Sequence, residues 1–248
     1  MPRSKPVSST TSAHLLVLAQ ELSHAVDKLR FQPPVAYVYN PLEYAWKPHH
    51  AYLTRYAKAT CRVLFLGMNP GPFGMAQTGV PFGEIAAVRD WLGIDEDVDK
   101  PASEHPKRPI EGFACKKSEV SGKRLWGLFG ERYGSPVNFF REHFVVNYCP
   151  LVFMDEGARN VTPDKLHRAD VQALHEVCDL HLGKVIQAMD PIHVVGIGGY
   201  AEECLKRVLG SNDKIHISRI LHPSPASPAA NKDWAGQVTK QLTSAGIW

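Results

Sequence analysis

The chain has 248 residues, a length that fits one domain with a sizeable buried core. Its 28 Lys and Arg residues against 25 Asp and Glu residues give a formal charge of +3, which permits a nucleic-acid partner only through a local basic face. The five cysteines form no Cys-x-x-Cys pair, which argues against zinc, iron–sulfur and disulfide scaffolds and favours a reducing intracellular compartment.

Residues 1–12 are rich in Ser, Thr, Pro and Lys and predict a mobile tail ahead of a single domain over residues 13–248. Ser12 is expected to cap a first helix, which carries apolar residues at helical spacing from Leu15 to Leu29. The early apolar run in this segment is too short for a signal core or a membrane span. We therefore expect a soluble intracellular protein with no membrane partner.

A second, shorter helix is predicted around Tyr52 and Tyr56. The stretch between the two helices, residues 35–50, is rich in aromatic residues. These residues either cover the core, which is the commoner outcome, or provide a surface on which bases stack.

The most informative stretch is the Gly- and Pro-rich loop of residues 67–83, which follows a buried strand predicted over residues 63–66. Its glycines let the backbone turn sharply and approach a ligand, while its prolines stiffen the loop. The loop has no charged residue and lacks the Gly-Lys-Ser/Thr ending of a P-loop, so it suits a flat, neutral ligand better than a phosphate. A structural connection is the alternative, but the length, the missing charge and Asn69 at the strand end favour a pocket wall.

A long insertion follows a helix predicted over residues 84–92 and capped by Gly93. Residues 94–121 show little periodicity, with an acidic beginning and basic clusters at 105–108 and 116–117. The basic part either meets a phosphate backbone or belongs to a solvated surface loop.

Three more apolar strands complete the predicted sheet. After short helices over residues 123–133 and 135–143, the strand 144–146 delivers Asn147 at its carboxyl end. A long helical region opened by Thr162 and Pro163 precedes the strands 192–195 and 215–221, the last of which ends at His222. Apolar strands that alternate with helices predict an α/β fold with a parallel sheet.

Residues 196–201 match a dinucleotide fingerprint of the Gly-x-Gly-x-x-Ala type. We reject that interpretation because the next strand ends in His222 and not in the acidic residue that a ribose requires. A tight turn between strand and helix explains the glycines.

Three of the four strands end in polar residues suited to a ligand site: Asn69, Asn147 and His222. Ligands of open parallel sheets bind outside the carboxyl ends of the strands, so these side chains are expected to converge. Asn offers a donor and an acceptor, as recognition of a uracil-like N–H beside C=O requires, and His can donate to an oxygen that gains negative charge. Each residue alone is more simply a satisfied strand-end polar group.

A Ser- and Pro-rich loop over residues 223–232 opens the last helix, with Ser227 as N-cap and Pro228 at N1. Such a loop can bind phosphates through amides and hydroxyls, and a small apolar tip can wedge between bases. A flexible linker is the alternative, although linkers usually join domains.

At these residues the chain resembles the single-strand-selective monofunctional uracil-DNA glycosylases of the uracil-DNA glycosylase superfamily. The resemblance rests on residues 67–83, on Asn147-Tyr148-Cys149-Pro150 and on His222-Pro223-Ser224-Pro225 with the later Asn231-Lys232. It extends over most of the chain from about Val35 onward.

The resemblance implies a three-layer α/β/α fold with a central four-stranded parallel sheet. It also implies a hydrolase that flips uracil and related damaged pyrimidines out of single- and double-stranded DNA and leaves an abasic site for base excision repair. The catalytic residues would be Asn69, which positions the water, and His222, which stabilises the departing base. Substrate would be bound by Phe82 and Asn147, which stack on the base and recognise its edge, and by Met68 and Gly71.

The DNA-contacting residues implied by the resemblance are Pro223, Ser224, Pro225, Ala226, Ser227, Asn231 and Lys232. Ala226 departs from the family, because animal members usually carry Arg at this position, so a weaker wedge and a weaker grip on the product are expected here. The implied enzyme is a monomer that needs no metal and no cofactor, in the bacterial cytoplasm or in the nucleus of a eukaryote.

Two other hypotheses remain open: a superfamily relative acting on deaminated purines or mismatches, and a non-catalytic nucleic-acid-binding module. The presence of His222 favours an enzyme, since a pure binder has no evident use for it.

Overall fold

A four-stranded parallel sheet forms the centre of the protein, as predicted. The structure is a computed structural model that describes residues 10–59, 61–211 and 213–248. The sheet has the order β3-β2-β6-β7, and its strands are β2 (Val63–Gly67), β3 (His143–Asn147), β6 (His193–Ile197) and β7 (His216–Ile220).

The helices of the described residues are α1 (Thr11–Val26), α2 (Pro41–Tyr44), α3 (Trp46–Tyr56), α4 (Met75–Thr78), α5 (Val120–Tyr133), α6 (Pro136–Phe139), α7 (Arg168–Met189), α8 (Gly199–Leu209) and α9 (Pro228–Ser244). Shorter turns of 3₁₀ helix cover Gly112–Ala114 and Pro163–Lys165, and a π-helical turn covers Ala87–Trp91.

Helices cover both faces of the sheet, and the central strand β2 is therefore buried along its whole length. On one face, Phe65 packs against Phe129 of α5 and Phe139 of α6. On the other, Phe144 stacks on Tyr52 of α3, whose hydroxyl donates to the carbonyl of Val145 at 2.8 Å. The result is the predicted three-layer α/β/α arrangement.

A second, three-stranded antiparallel sheet was not predicted from the sequence. It has the order β1-β4-β5, with β1 at Tyr37–Tyr39, β4 at Val152–Met154 and β5 at Asn160–Val161. Strands of two or three residues are too short to show an alternating pattern. Within the aromatic stretch 35–50, Tyr39 and Tyr44 are buried in a small cluster beside this sheet, so these two residues cover core and are not a base-stacking surface.

Several predicted boundaries were wrong. Thr10, and not Ser12, caps α1 through its hydroxyl, so Ser12 lies inside the helix. Of the tail predicted over residues 1–12, residues 1–9 lie outside the described residues. The helix predicted over 135–143 stops at Phe139, because His143 already starts β3, whereas Ser135 caps it as predicted.

Within the described residues, no helix combines the length and the apolarity that crossing a lipid bilayer requires.

Candidate active site

The carboxyl ends of three strands open into one pocket of about 520 Å³. The parallel register pairs Gly67 with Asn147, and this pairing brings the loop after β2 beside the end of β3. The lining includes all six residues predicted to act on the base: Met68, Asn69, Gly71, Phe82, Asn147 and His222. The predicted convergence of the three strand-end side chains is therefore present.

The amide of Asn69 is fixed in one orientation. Its Nδ2 donates to the carbonyl oxygen of Leu151 at 3.1 Å, in the segment that joins β3 to β4. Because the donor side of the amide is engaged, Oδ1 is the atom that can accept a hydrogen bond from a molecule in the pocket, such as water.

The amide of Asn147 has an acceptor without a partner. Its Nδ2 lies 3.3 Å from the sulfur of Met75, whereas Oδ1 is inaccessible to solvent and has no hydrogen-bond partner within the described chain. A buried acceptor of this kind is costly unless a ligand supplies the missing donor. A ligand that presents an N–H group could supply that donor once the amide turns to expose Oδ1 to the pocket, since Oδ1 now packs against Gly67 and the Phe82 ring.

Phe82 sits beside Asn147 in a strained backbone conformation. Its φ of 53° lies in the left-handed region that residues with a side chain rarely adopt. Such strain persists only where the surroundings enforce it, and it concentrates at binding sites. The residue is 8% exposed, and the centroid of its ring lies 6.3 Å from that of the His222 ring. Phe82 thus offers an apolar wall for a flat ligand.

The hydrogen bonds of His222 determine where its proton sits. The backbone N–H of Ser224 donates to Nδ1 at 3.1 Å, so in the neutral ring the proton belongs on Nε2. Burial lowers the pKa of His222, which favours the neutral ring near neutral pH. His222 can therefore act as a neutral Nε2–H donor toward the pocket.

Comparisons with known proteins agree with this geometry. The pattern of the uracil DNA glycosylase superfamily matches residues 45–243. The single-strand selective monofunctional uracil-DNA glycosylase of Rattus norvegicus is 46% identical over 98% of this chain and 88% of its own length. The protein of that name in Bos taurus is 48% identical over 91% of this chain and 84% of its own length.

The chain belongs to the uracil-DNA glycosylase superfamily. Within it, the identity to the rat and bovine proteins places the chain in the family of single-strand selective monofunctional enzymes. The crystal structure of wild-type Pedobacter heparinus SMUG2 shares the fold, with a TM-score of 0.67 and 18% identity over 92% of this chain and 96% of that protein.

In this superfamily member, Gly196 and Gly198 of the rejected dinucleotide fingerprint allow close packing around the pocket and the sheet. Gly198 has a φ of 93°, and a Cβ there would lie 3.2 Å from the Cβ of His222. Gly196 abuts the backbone of Glu202 at the start of α8, where a side chain would collide. The pattern thus arises because His222 and α8 both pack directly on backbone.

The predicted DNA-contacting loop is tied to α5 by Arg124. Its guanidinium donates to the carbonyl of Pro223 at 3.0 Å and to Oδ1 of Asn231 at 2.9 Å. Within the loop, Asn231 Nδ2 donates to the carbonyl of Pro225 at 2.8 Å, and Ser227 caps α9 as predicted. These bonds give the loop a defined shape, which a flexible linker would lack.

The seven predicted DNA-contacting residues differ in position. Ser224 and Pro225 line the pocket, and Pro223 is buried. Ala226, Asn231 and Lys232 are exposed and Ser227 is half-buried, and none of these four lines the pocket.

Sequence reasoning missed Glu119, a carboxyl group in the pocket wall. Its Oε2 is inaccessible, has no hydrogen-bond partner in the described structure and faces bare backbone at Gly74, while its Oε1 faces bare backbone at Gly71. Burial raises the pKa of Glu119 to about 7; the charge of Glu84 raises it further, and the nearby backbone N–H of Gly122 acts in the opposite direction. No local pattern in an irregular insertion marks such a residue, because its burial is a tertiary effect.

The described residues contain no group of three or more His, Cys, Asp or Glu side chains able to hold a metal ion.

We predict that Glu119→Gln changes the pH dependence of stability. The folded state holds this proton more tightly than the unfolded chain, so the wild type loses stability as pH rises from the usual value of 4.5 toward about 7. The variant should therefore be more stable than wild type at about pH 8, by on the order of 2 kcal/mol, and similar to it at about pH 5.

Urea unfolding at both pH values measures this difference. Glu131→Gln, which removes an exposed carboxylate from α5, the helix that Glu119 precedes, is the matched control and should show no such change. A difference between Glu119→Gln and wild type that does not vary with pH would contradict the assignment.

Proposed function

We propose that this protein is a monofunctional DNA glycosylase that hydrolyses the N-glycosidic bond of uracil and related damaged pyrimidines and leaves an abasic site. Family membership supports this proposal. The observation that carries it is one pocket that is lined by the amide of Asn147, whose acceptor is unpartnered, and by the neutral Nε2–H donor of His222. Uracil carries an N–H group for the first and a carbonyl oxygen for the second. We further propose that residues 13–248 act as one domain.

Base recognition falls to Asn147 and Phe82. A uracil flipped out of the DNA would stack on the Phe82 ring. Its N3–H would donate to Oδ1 of Asn147, and its O4 would accept from Nδ2 of the same amide. Because Oδ1 is buried, a base that offers an acceptor in place of N3–H would leave two acceptors facing each other. Met68 and Gly71 would shape the remaining contact with the base.

Bond cleavage falls to Asn69 and His222. With Nδ2 held by Leu151, Oδ1 of Asn69 would orient the attacking water. His222 would donate from Nε2 to the uracil oxygen that gains negative charge as the base departs. Stabilisation of the leaving group and placement of the water therefore replace a strong general base in this proposal.

DNA is the proposed partner, bound by a monomer. The loop of residues 223–232 starts directly after His222, which suits a segment that fills or distorts the vacated base stack. Ala226 at its exposed tip supplies only a small apolar wedge, so we expect the pocket contacts to contribute much of the grip on the flipped nucleotide.

The direct test is incubation with a uracil-containing oligonucleotide followed by alkali, which breaks the strand at abasic sites. We predict cleavage at uracil that persists in EDTA and gives no adduct with DNA on borohydride treatment. No lysine lines the described pocket, so no amine is available there to form a Schiff base. Loss of activity in EDTA would contradict a metal-independent mechanism. A trapped adduct would contradict a monofunctional one.

Asn147→Asp should weaken the recognition of uracil and admit cytosine. A carboxylate can accept from the cytosine amino group but cannot donate to uracil O4. The measurement is the ratio of kcat/KM on oligonucleotides that differ only in uracil or cytosine at one position. If this ratio equals that of the wild type, Asn147 does not recognise the base edge.

His222→Ala should slow single-turnover cleavage of uracil by ~10²–10³, the usual cost of losing one preorganised donor. Binding of substrate should change much less, because the interaction strengthens mainly in the transition state. The defect should be smaller on 5-fluorouracil in DNA, a base that departs more easily.

Asn69→Ala is the matched comparison for His222→Ala. It should also be slow, through loss of water positioning, but with less difference between the two substrates. If His222→Ala slows both substrates equally, or mainly weakens DNA binding, the leaving-group role of His222 is wrong.

A further inference from the structure

The insertion of residues 94–121 is fixed to the pocket loop by one buried side chain. Gln77, which is 2% exposed, donates from Nε2 to the carbonyl oxygens of Pro72 and Pro109, both at 3.2 Å. Its Oε1 accepts from the backbone N–H groups of Glu111 at 2.8 Å and Gly112 at 3.1 Å. A single amide thus satisfies backbone groups on both segments, so the insertion has a defined position relative to the pocket.

The basic cluster at 105–108 is held in the same way. The hydroxyl of Tyr39, a nearly fully buried residue of β1, donates to the carbonyl of Arg108 at 2.9 Å and accepts from the N–H of His105 at 2.6 Å. His105 is buried and bonds through Nε2 with the carbonyl of Glu156 at 2.9 Å. The backbone that carries Arg108 is therefore anchored from two sides.

Two cations from this insertion meet at one aromatic ring on the edge of the pocket. The guanidinium carbon of Arg108 lies 5.2 Å from the centroid of the Phe73 ring, and Nζ of Lys117 lies 4.9 Å from it. Phe73 itself lines the pocket. Cation–π contacts of this length hold both side chains in place, with Lys117 exposed and Arg108 half-buried.

Several acidic residues of the insertion form ion pairs, whereas its basic clusters do not. Of its acidic residues, Glu96, Asp97 and Glu104 form ion pairs with Arg55, Lys47 and Lys100. By contrast, Lys107, Arg108, Lys116 and Lys117 form no ion pair with any carboxylate of the described residues. Cations without an ion partner lower the cost of bringing a phosphate to this edge.

We propose that Phe73, Arg108 and Lys117 form a phosphate-binding rim that holds the DNA strand beside the flipped nucleotide. This proposal rests on the proposed function and adds a second DNA contact to the same site. It borders the pocket at Phe73, while Ser224 and Pro225 of the DNA-contacting loop line the pocket as well. A strand that delivers its base to this pocket would then be held both at the rim and at the loop. Contacts of this kind position the strand without recognising sequence.

The test measures how salt affects binding of a thymine-only single-stranded oligonucleotide to the full chain, for example by fluorescence anisotropy between about 50 and 200 mM salt. Each phosphate contact on a single strand contributes about 0.7 to the slope of log K against log salt. We expect Arg108→Gln and Lys117→Gln each to reduce the slope by about 0.7, and the double variant by about 1.4. At one fixed salt concentration, each single change should weaken binding by about two- to fivefold.

Two control variants separate charge from shape. Lys117→Arg keeps the cation and should keep the wild-type slope. Lys28→Gln removes an exposed cation that does not line the pocket and should also leave the slope unchanged. An unchanged slope in the Arg108→Gln and Lys117→Gln double variant would contradict the proposed rim. An equal reduction of the slope in Lys28→Gln would contradict it as well.

This experiment does not depend on cleavage, because the oligonucleotide contains no uracil. If the rim variants lose slope as expected but wild type releases no uracil in the alkali assay, the proposed function fails and the rim stands. If wild type releases uracil and the slope is unaffected in the rim variants, the rim fails and the proposed function stands.

Discussion

The pocket depends on side chains that pack directly against bare backbone. A Cβ on Gly67 would overlap Oδ1 of Asn147 and would lie 2.5 Å from the ring of Phe82, so only glycine fits at the end of the central strand. Gly198 serves His222 in the same way at the end of β6. Because the strands are parallel and in register, these positions fall at one edge of the sheet. The side chains of Asn69, Asn147 and His222 therefore converge without a long loop to carry them.

The first turns of α5 join the two loops that border this pocket. Glu119 precedes the helix and packs its carboxyl on Gly71 and Gly74, while Arg124, one turn later, holds the loop after His222. A movement of this helix would therefore disturb the pocket wall at Gly71 and Gly74 together with the DNA-contacting loop. The insertion before α5 is likewise part of the site, since Gln77 connects it to the same pocket loop.

The sequence predicted what depends on local pattern and on the parallel direction of the strands, and it missed what depends on tertiary contact. Asn69, Asn147 and His222 were predicted to share a site because each follows an apolar strand and parallel strands end at one edge. The uracil DNA glycosylase resemblance was confirmed by the family match and the relatives. Glu119 was missed because nothing near it in sequence signals burial, and the short strands β1, β4 and β5 because two or three residues carry no period. The roles proposed for the individual site residues stay predictions.

The distribution of charge fits a neutral substrate that leaves as an anion. Inside the pocket, the donors are neutral: burial lowers the pKa of His222, so its N–H acts as a dipole and carries no full charge. An ionised Glu119 in the same wall would repel a departing uracil anion, and burial, by raising its pKa to about 7, favours the neutral form below that pH. The cations lie outside, at Arg108 and Lys117, where phosphates would pass. In the proposed complex, neutral donors inside and cations outside would keep the phosphates of DNA out of the cavity in which the base is released, so each type of contact would act on its own part of the nucleotide.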